Sequence, residues 1–166
     1  MSVRKFWAIV DLDGTVSDCS ARVSLANAAK AETDQTKRGE LWDAFHAQCL
    51  EDPPHRAEVM IVQAWIAAGG AVCFLTGRTE KFRAETEAWL ATQGLPATFL
   101  LMRGDRVYTG SLQFKRLMLD RIRETMLDEG EDIAFVMEDQ DRLVDQWREL
   151  GLTCLQPRRS AFGDYR

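Results

Sequence analysis

The sequence predicts an α/β fold, a doubly wound parallel sheet with a small helical cap insertion over about 17–55. Three observations predict it. Short β-branched and apolar runs recur at Phe6 to Leu12, Ala71 to Leu75, Thr98 to Met102, Ile133 to Met137 and Leu152 to Leu155. Longer segments with helical spacing lie between them, which is the alternation of βαβ units in a parallel sheet. One stretch, Ser17 to His55, breaks the alternation directly after the first strand.

That stretch holds a polar loop (Glu32 to Arg38), an amphipathic helix with Leu41, Trp42, Phe45 and Cys49, and the stop Asp52-Pro53-Pro54. His46 and His55 both fall in it and are expected to be surface or satisfied residues, since neither has a partner at metal-ligand spacing. Ala57 to Ala68 is apolar almost all round. Thr79 to Gln93 carries Phe82, Trp89 and Leu90 on one side, and Phe114, Met118, Ile122 and Met126 recur every fourth residue. Asp141 to Leu150 places Leu143, Val144, Trp147 and Leu150 on one stripe and stops at Gly151. All read as helices packed on a sheet, their Trp and Met residues serving the core.

Composition sets the bounds. The 166 residues are 46% hydrophobic and 28% charged with a net charge of −5, enough apolar material for a single domain over 1–166. No apolar run is long and uncharged enough to span a bilayer, and the N-terminus has no cleavage-site pattern. The four cysteines include no Cys-x-x-Cys, which reads as reduced thiols in a cytoplasmic protein.

The chemistry collects at strand ends. The first strand ends in Asp11-Leu12-Asp13-Gly14-Thr15. Strand carboxyl ends form the ligand crevice of an open parallel sheet, and two carboxylates there are costly unless a cation joins them. A plain turn or a calcium loop is the bland alternative, but a helix-loop-helix calcium site needs Gly sixth and Glu twelfth, whereas this Gly is fourth. By chance, Asp-x-Asp-Gly-Thr arises with a frequency on the order of 10⁻³ in a chain this long.

The second strand leads into Thr76-Gly77-Arg78-Thr79, a hydroxyl and a flexible glycine before an expected helix start, where free N–H groups suit a phosphoryl oxygen. An ordinary strand-to-helix turn reads the same way. Glu138-Asp139 puts a second acidic pair at the same sheet edge, with a helix N-cap as its alternative. Lys115 opens the helix after the third strand, within reach of that edge, although a lone lysine there is usually solvated. Carboxylates from two strand ends, a hydroxyl from a third and a lysine from the next helix together make a magnesium and phosphate site.

In these residues the chain resembles the haloacid dehalogenase superfamily of phosphotransferases, whose four motifs match Asp11-x-Asp13-Gly14-Thr15, Thr76, Lys115 and Glu138-Asp139 in order. It is similar in particular to the 3′-phosphatase domain of phage-type polynucleotide kinases. That likeness is carried by Trp42-Asp43-Ala44-Phe45, Asp52-Pro53-Pro54, Thr76-Gly77-Arg78, Thr86 to Leu90, Leu101-Met102-Arg103, Val144, Trp147 and Gly163-Asp164-Tyr165. One block departs: Val107, Thr109 and Ser111 stand where members carry Asp, Arg and Asp, so the loop before Lys115 lacks those polar groups that could grip substrate or orient the lysine.

The resemblance implies covalent catalysis. Asp11 attacks phosphorus to give an aspartyl-phosphate, while Asp13 protonates the leaving oxygen and then activates water. It implies Mg²⁺ held by Asp11, the Asp13 backbone carbonyl, Glu138 and Asp139, with Thr76 and Lys115 on the phosphoryl oxygens and Gly77, Arg78 and Arg103 on substrate. Arg103 to Arg123 carries six basic residues against two acidic ones, a local surplus that suits a nucleic-acid strand or is simply solvated helix charge.

Three functions stay open: a phosphatase for nucleic-acid ends, one for a free nucleotide or other small phosphate ester, and a non-enzymatic phosphate-responsive domain of receiver type. Asp13 speaks against the last, which has no need of an acid two residues beyond its phosphorylated Asp. No Gly-x-x-x-x-Gly-Lys loop is present, so no kinase half is expected in this chain, and a separate kinase or ligase stays open as a partner.

Overall fold

The computed structural model describes residues 5–105, 107, 109–160 and 162; Arg106 and the Gly163-Asp164-Tyr165 match lie outside the described residues. Five strands, β1 (Phe6–Val10), β2 (Ala71–Thr79), β3 (Leu100–Arg103), β4 (Asp132–Met137) and β5 (Cys154–Leu155), form a parallel sheet in the order β3-β2-β1-β4-β5. Side chains alternate across it as the pleat requires. Trp7, Ile9, Cys73 and Leu75 face one core shared with α5 (Ser111–Thr125) and α6 (Asp141–Glu149), through Phe114, Leu119, Ile122, Leu143, Val144 and Trp147. Ala8, Val10, Val72 and Phe74 face a second core with Val59 and Val62 of α3 (Arg56–Ala67) and Trp89 and Leu90 of α4 (Arg83–Thr92). Both faces being covered, the strands read as near-continuous apolar runs.

Between β1 and α3 stand α1 (Val23–Ala31) and α2 (Gln35–Ala47), the helical insertion. The polar loop expected from Glu32 to Arg38 is shorter than that: the Asp34 carboxylate accepts from the Lys37 amide at 2.9 Å and caps α2, so the helix begins at Gln35. The chain leaves and re-enters the sheet side by side, with Asp18 N donating to Pro53 O and His55 N to Val16 O, both at 2.8 Å. Cys19, Ala26 and Phe45 give the insertion a small core of its own.

The second strand runs four residues further than the sequence suggests. Thr79 pairs with Arg103, so Thr76 to Thr79 stays in the sheet, a short 3₁₀ turn follows, and α4 starts only at Arg83. The helix N–H groups expected beside Thr76 are therefore displaced along the chain. All four cysteines are buried and unpaired. No described helix is long and apolar enough to cross a membrane.

Candidate active site at the sheet switch point

In the strand order β3-β2-β1-β4-β5 the winding reverses beside β1, and the crevice outside β1 and β4 is where such sheets bind ligands. Asp11 and Glu138-Asp139 follow those two strands, and Asp11 N extends the ladder to Met137 O at 3.0 Å. One oxygen each from Asp11, Glu138 and Asp139 lies within 4.8 Å of the others. Lys115, reaching in from the first turns of α5, donates from Nζ to Asp11 Oδ1 at 2.6 Å and to Glu138 Oε2 at 2.5 Å. Far from solvated, it is 3% exposed. Thr15 Oγ1 donates to Asp11 Oδ2 at 3.0 Å and lies 3.4 Å from Asp139 Oδ1.

Three buried carboxyl groups thus surround one ammonium. Burial first, then the neighbouring Glu138 charge, pushes Asp11 up to about 7 against the pull of Lys115; burial and the Asp11 charge push Asp139 up to about 8. Lys115 moves upward, because Asp11 and Glu138 outweigh its desolvation. A hard divalent cation fits this set: the donors are all oxygen, the site is short of positive charge, and Asp139 Oδ2 is buried without a hydrogen-bond partner. Gly14 leaves room for that oxygen. Its φ of +87° is strained for other residues, and a Cβ there would lie 2.4 Å from Asp139 Oδ2.

Asp13 belongs to a second constellation. Arg22 Nη2 lies 2.5 Å from its Oδ1, and Arg78 donates from Nη2 at 2.6 Å and from Nε at 3.1 Å. Burial would raise Asp13, but the two guanidinium charges win and hold it well below the ordinary carboxylate range. Asp52 completes the group: Arg22 Nε donates to its Oδ1 at 2.8 Å, Arg22 Nη2 reaches its Oδ2, and Ser17 Oγ donates to it at 2.5 Å. Arg78 therefore does not sit where a substrate contact was expected. Its side chain has no exposed surface and supports Asp13 from beneath.

Thr76, 1% exposed, lies in β2, with its Oγ1 accepting from Arg78 N at 3.2 Å. Gly77 has an ordinary φ, and a Cβ there would meet only Arg103 Nη2 at 3.8 Å, so its backbone does not demand glycine. Arg103 is also occupied within the protein. Its Nε donates to Gly77 O at 3.3 Å, its Nη1 donates to Thr109 O, and its guanidinium stacks 4.5 Å from the Phe114 ring centroid. His46 is neither exposed nor satisfied. Packed among Trp42, Phe45 and Phe82, with Nδ1 lacking a partner, it is driven down to about 4 by burial.

Arg22 and Asp52 escaped the sequence reading. Their only signal was a need: a carboxylate as sheltered as Asp13 requires cations, and the insertion held one arginine close in sequence.

Comparison with known proteins places this arrangement. No curated protein matches the chain. Among solved structures, a chain of the Pnkp1/Rnl/Hen1 complex superposes with TM-score 0.72 at 24% identity, over 99% of this chain and 49% of that one. A chain of the Pnkp1/Rnl/Hen1 RNA repair complex gives TM-score 0.70 at 25% identity over 96% of this chain and 44% of the other, so the chain spans about half the length of these relatives. The class C acid phosphatase from Bacillus anthracis with tungstate bound follows at TM-score 0.62 and 15% identity, over 98% of this chain and 70% of that one. The polynucleotide kinase PNKP phosphatase domain matches residues 37–162, which leaves out Asp11 to Thr15 but includes Thr76, Lys115 and the acidic pair. The chain belongs to this family of phosphatase domains, within the haloacid dehalogenase superfamily.

Proposed function

We propose that the protein is a Mg²⁺-dependent phosphatase that works through an aspartyl-phosphate on Asp11 and removes terminal 3′-phosphates from polynucleotides or nucleotides. The observation that carries the reaction is the pairing of Lys115 with Asp11 and Glu138 at the switch point, two residues before an Asp13 braced by Arg22 and Arg78. Asp11, the Asp13 carbonyl, Glu138 and Asp139 would hold Mg²⁺, which supplies positive charge to the phosphoryl oxygens. Asp11 Oδ attacks phosphorus in line with the departing oxygen, and Lys115 and Thr76 Oγ1 bind the phosphoryl oxygens. An incoming phosphate dianion raises the proton affinity of Asp13, which takes up a proton from solvent and passes it to the leaving oxygen as the P–O bond breaks. Left ionised between its two arginines, Asp13 next takes a proton from the water that opens the acyl-phosphate.

The nucleic-acid substrate is supported by the family match and by the RNA repair complex in which the similar chain occurs. The same likeness is the ground for proposing a separate repair protein as partner. A second reading, hydrolysis of a free nucleotide or other small phosphate ester, is favoured by Arg103, whose Nε and Nη1 already donate to Gly77 O and Thr109 O within the protein. The deciding experiment measures Mg²⁺-dependent phosphate release from 3′- and 5′-phosphorylated oligonucleotides, free nucleotides and sugar phosphates. Preference for the 3′-phosphorylated oligonucleotide upholds the reading, and preference for a sugar phosphate overturns it.

A further inference from the structure

After β5 the chain turns back across the molecule and touches three separate parts of it. Gln156 Nε2 donates to the backbone carbonyl of Asp139 at 2.9 Å and to Asp141 Oδ1, at the start of α6, at 2.5 Å. Arg158 then pairs with the buried Glu58 of α3, next to the point where the chain returns from the insertion. At the far end Phe162 packs edge-on against Phe45 of α2, 5.8 Å between centroids. Lys30 of α1 lies over the same ring at 4.8 Å and reaches the Phe162 carbonyl at 3.4 Å. One short segment is thus tied to the loop carrying the acidic pair, to the hinge region and to the insertion.

From this geometry we infer that Gln156 is a positioning residue for Asp139, and that the segment from Gln156 to Phe162 makes the grip on the cation depend on the seating of the insertion. The physical need is plain. Asp139 is buried, and its carboxylate has few contacts: Oδ1 lies 3.4 Å from Thr15 Oγ1, and the Ser160 hydroxyl, in the same segment as Gln156, hydrogen-bonds to it. The direction of the side chain is set by these contacts together with the backbone of the Glu138-Asp139-Gln140 stretch. That stretch is fixed from outside β4 by the Gln156 amide, which pins the Asp139 carbonyl to the first residue of α6. Groups that orient a metal-binding carboxylate from behind typically change affinity 10- to 100-fold when lost. Because Gln156 and Phe162 share one segment, lifting Phe162 out of the insertion slackens the tether on that stretch.

The inference rests on the functional reading above, and its test separates the two. The full chain, stripped with chelator, is titrated with Mn²⁺ while free ion is counted by electron paramagnetic resonance, and thermal unfolding is followed in EDTA. Gln156→Met keeps the length of the side chain and removes the donor. It is expected to weaken Mn²⁺ binding about 10-fold with an EDTA unfolding midpoint close to wild type. Phe162→Ala, which removes no polar group, is expected to weaken binding in the same direction by about 3-fold. A wild-type constant retained in Gln156→Met overturns the positioning role. Weakening in Gln156→Met but not in Phe162→Ala overturns the coupling to the insertion. Failure of the wild-type chain to bind Mn²⁺ sinks the functional reading itself.

Discussion

Arg22 Nη2 stands 2.5 Å from Asp13 Oδ1, although Arg22 belongs to the insertion and Asp13 to the loop that ends β1. The residue proposed as the acid is therefore assembled from two parts of the chain. Arg22→Met leaves Arg78 on Asp13 but takes from Asp52 its closest cation, since Arg78 is 3.8 Å away from it. Breaking a buried pair by removing one partner costs about 3–5 kcal/mol. Chemical denaturation should show a loss of that order, and kcat should fall more than KM rises. A variant with wild-type stability and turnover would show Arg22 to be dispensable.

Asp11→Asn should lower phosphate release by about three orders of magnitude or more, because a carboxamide is not a competent nucleophile. Asp13→Asn should lose more on an alkyl phosphate than on p-nitrophenyl phosphate, whose leaving group needs no proton. Equal losses on both would remove Asp13 from the acid role.

Asp11 and Asp139 also set a pH dependence for the metal-free protein. Both are raised in the folded state, to about 7 and about 8, so the folded chain binds more protons than the unfolded one between about pH 4 and pH 8. Stability from this pair is present at low pH and is lost as pH rises through the folded values. Unfolding in EDTA should thus show a falling midpoint from pH 5 to pH 8. Asp139→Asn should flatten that fall, raise the Mg²⁺ concentration for half-maximal rate, and leave less for added Mg²⁺ to stabilise. An unchanged metal requirement in both Asp139→Asn and Glu138→Gln would place the ion elsewhere.

How much of this was legible in the sequence follows from how each residue acts. Asp11, Lys115 and Glu138-Asp139 sit at strand ends or in the first turns of a helix, so the alternation of strands and helices already brings them to one edge, whereas Thr76 lies within β2, which runs on to Thr79. Arg22, Asp52 and Arg78 act by burial against a partner distant in the chain, and no local pattern announces that. The resemblance implied that Arg78 contacts substrate; in the structure the pairing of Thr79 with Arg103 keeps it in the strand and its guanidinium donates to Asp13. The helix α1 also went unread. Its Ala-rich sequence has only a shallow apolar stripe, and Ala26 and Ala29 are its buried positions.

His46 gives the opposite pH response. Its folded value is depressed from 6.5 to about 4, so stability present above pH 6.5 is lost as pH falls towards 4, at about 1.4 kcal/mol per pH unit and about 3 kcal/mol in all. His46→Phe, which stays within the ring cluster of Trp42, Phe45 and Phe82, should abolish that component. Denaturant midpoints for the two proteins at pH 5 and pH 7 measure it, and an unchanged difference between the two pH values would show that His46 is not neutral in the fold.

The substrate prediction turns on Arg103. Bound to Gly77 O and Thr109 O and stacked on Phe114, Arg103 ties the strand after Thr76 to the loop before Lys115. If that structural tie is its whole contribution, Arg103→Ala lowers kcat/KM by a similar factor for a 3′-phosphorylated oligonucleotide and a 3′-mononucleotide, since both depend on Lys115. If its charge also reaches a neighbouring phosphate, the oligonucleotide loses more, and its advantage shrinks between low and high salt as counterion release predicts. For a polynucleotide 3′-phosphatase the wild type is expected to favour the oligonucleotide about 10-fold or more at low salt, a margin of about 1.4 kcal/mol, and to lose most of it at high salt. Rates indifferent to chain length and salt would move the substrate to a free nucleotide or small phosphate ester while leaving the roles of Asp11, Asp13 and Lys115 untouched.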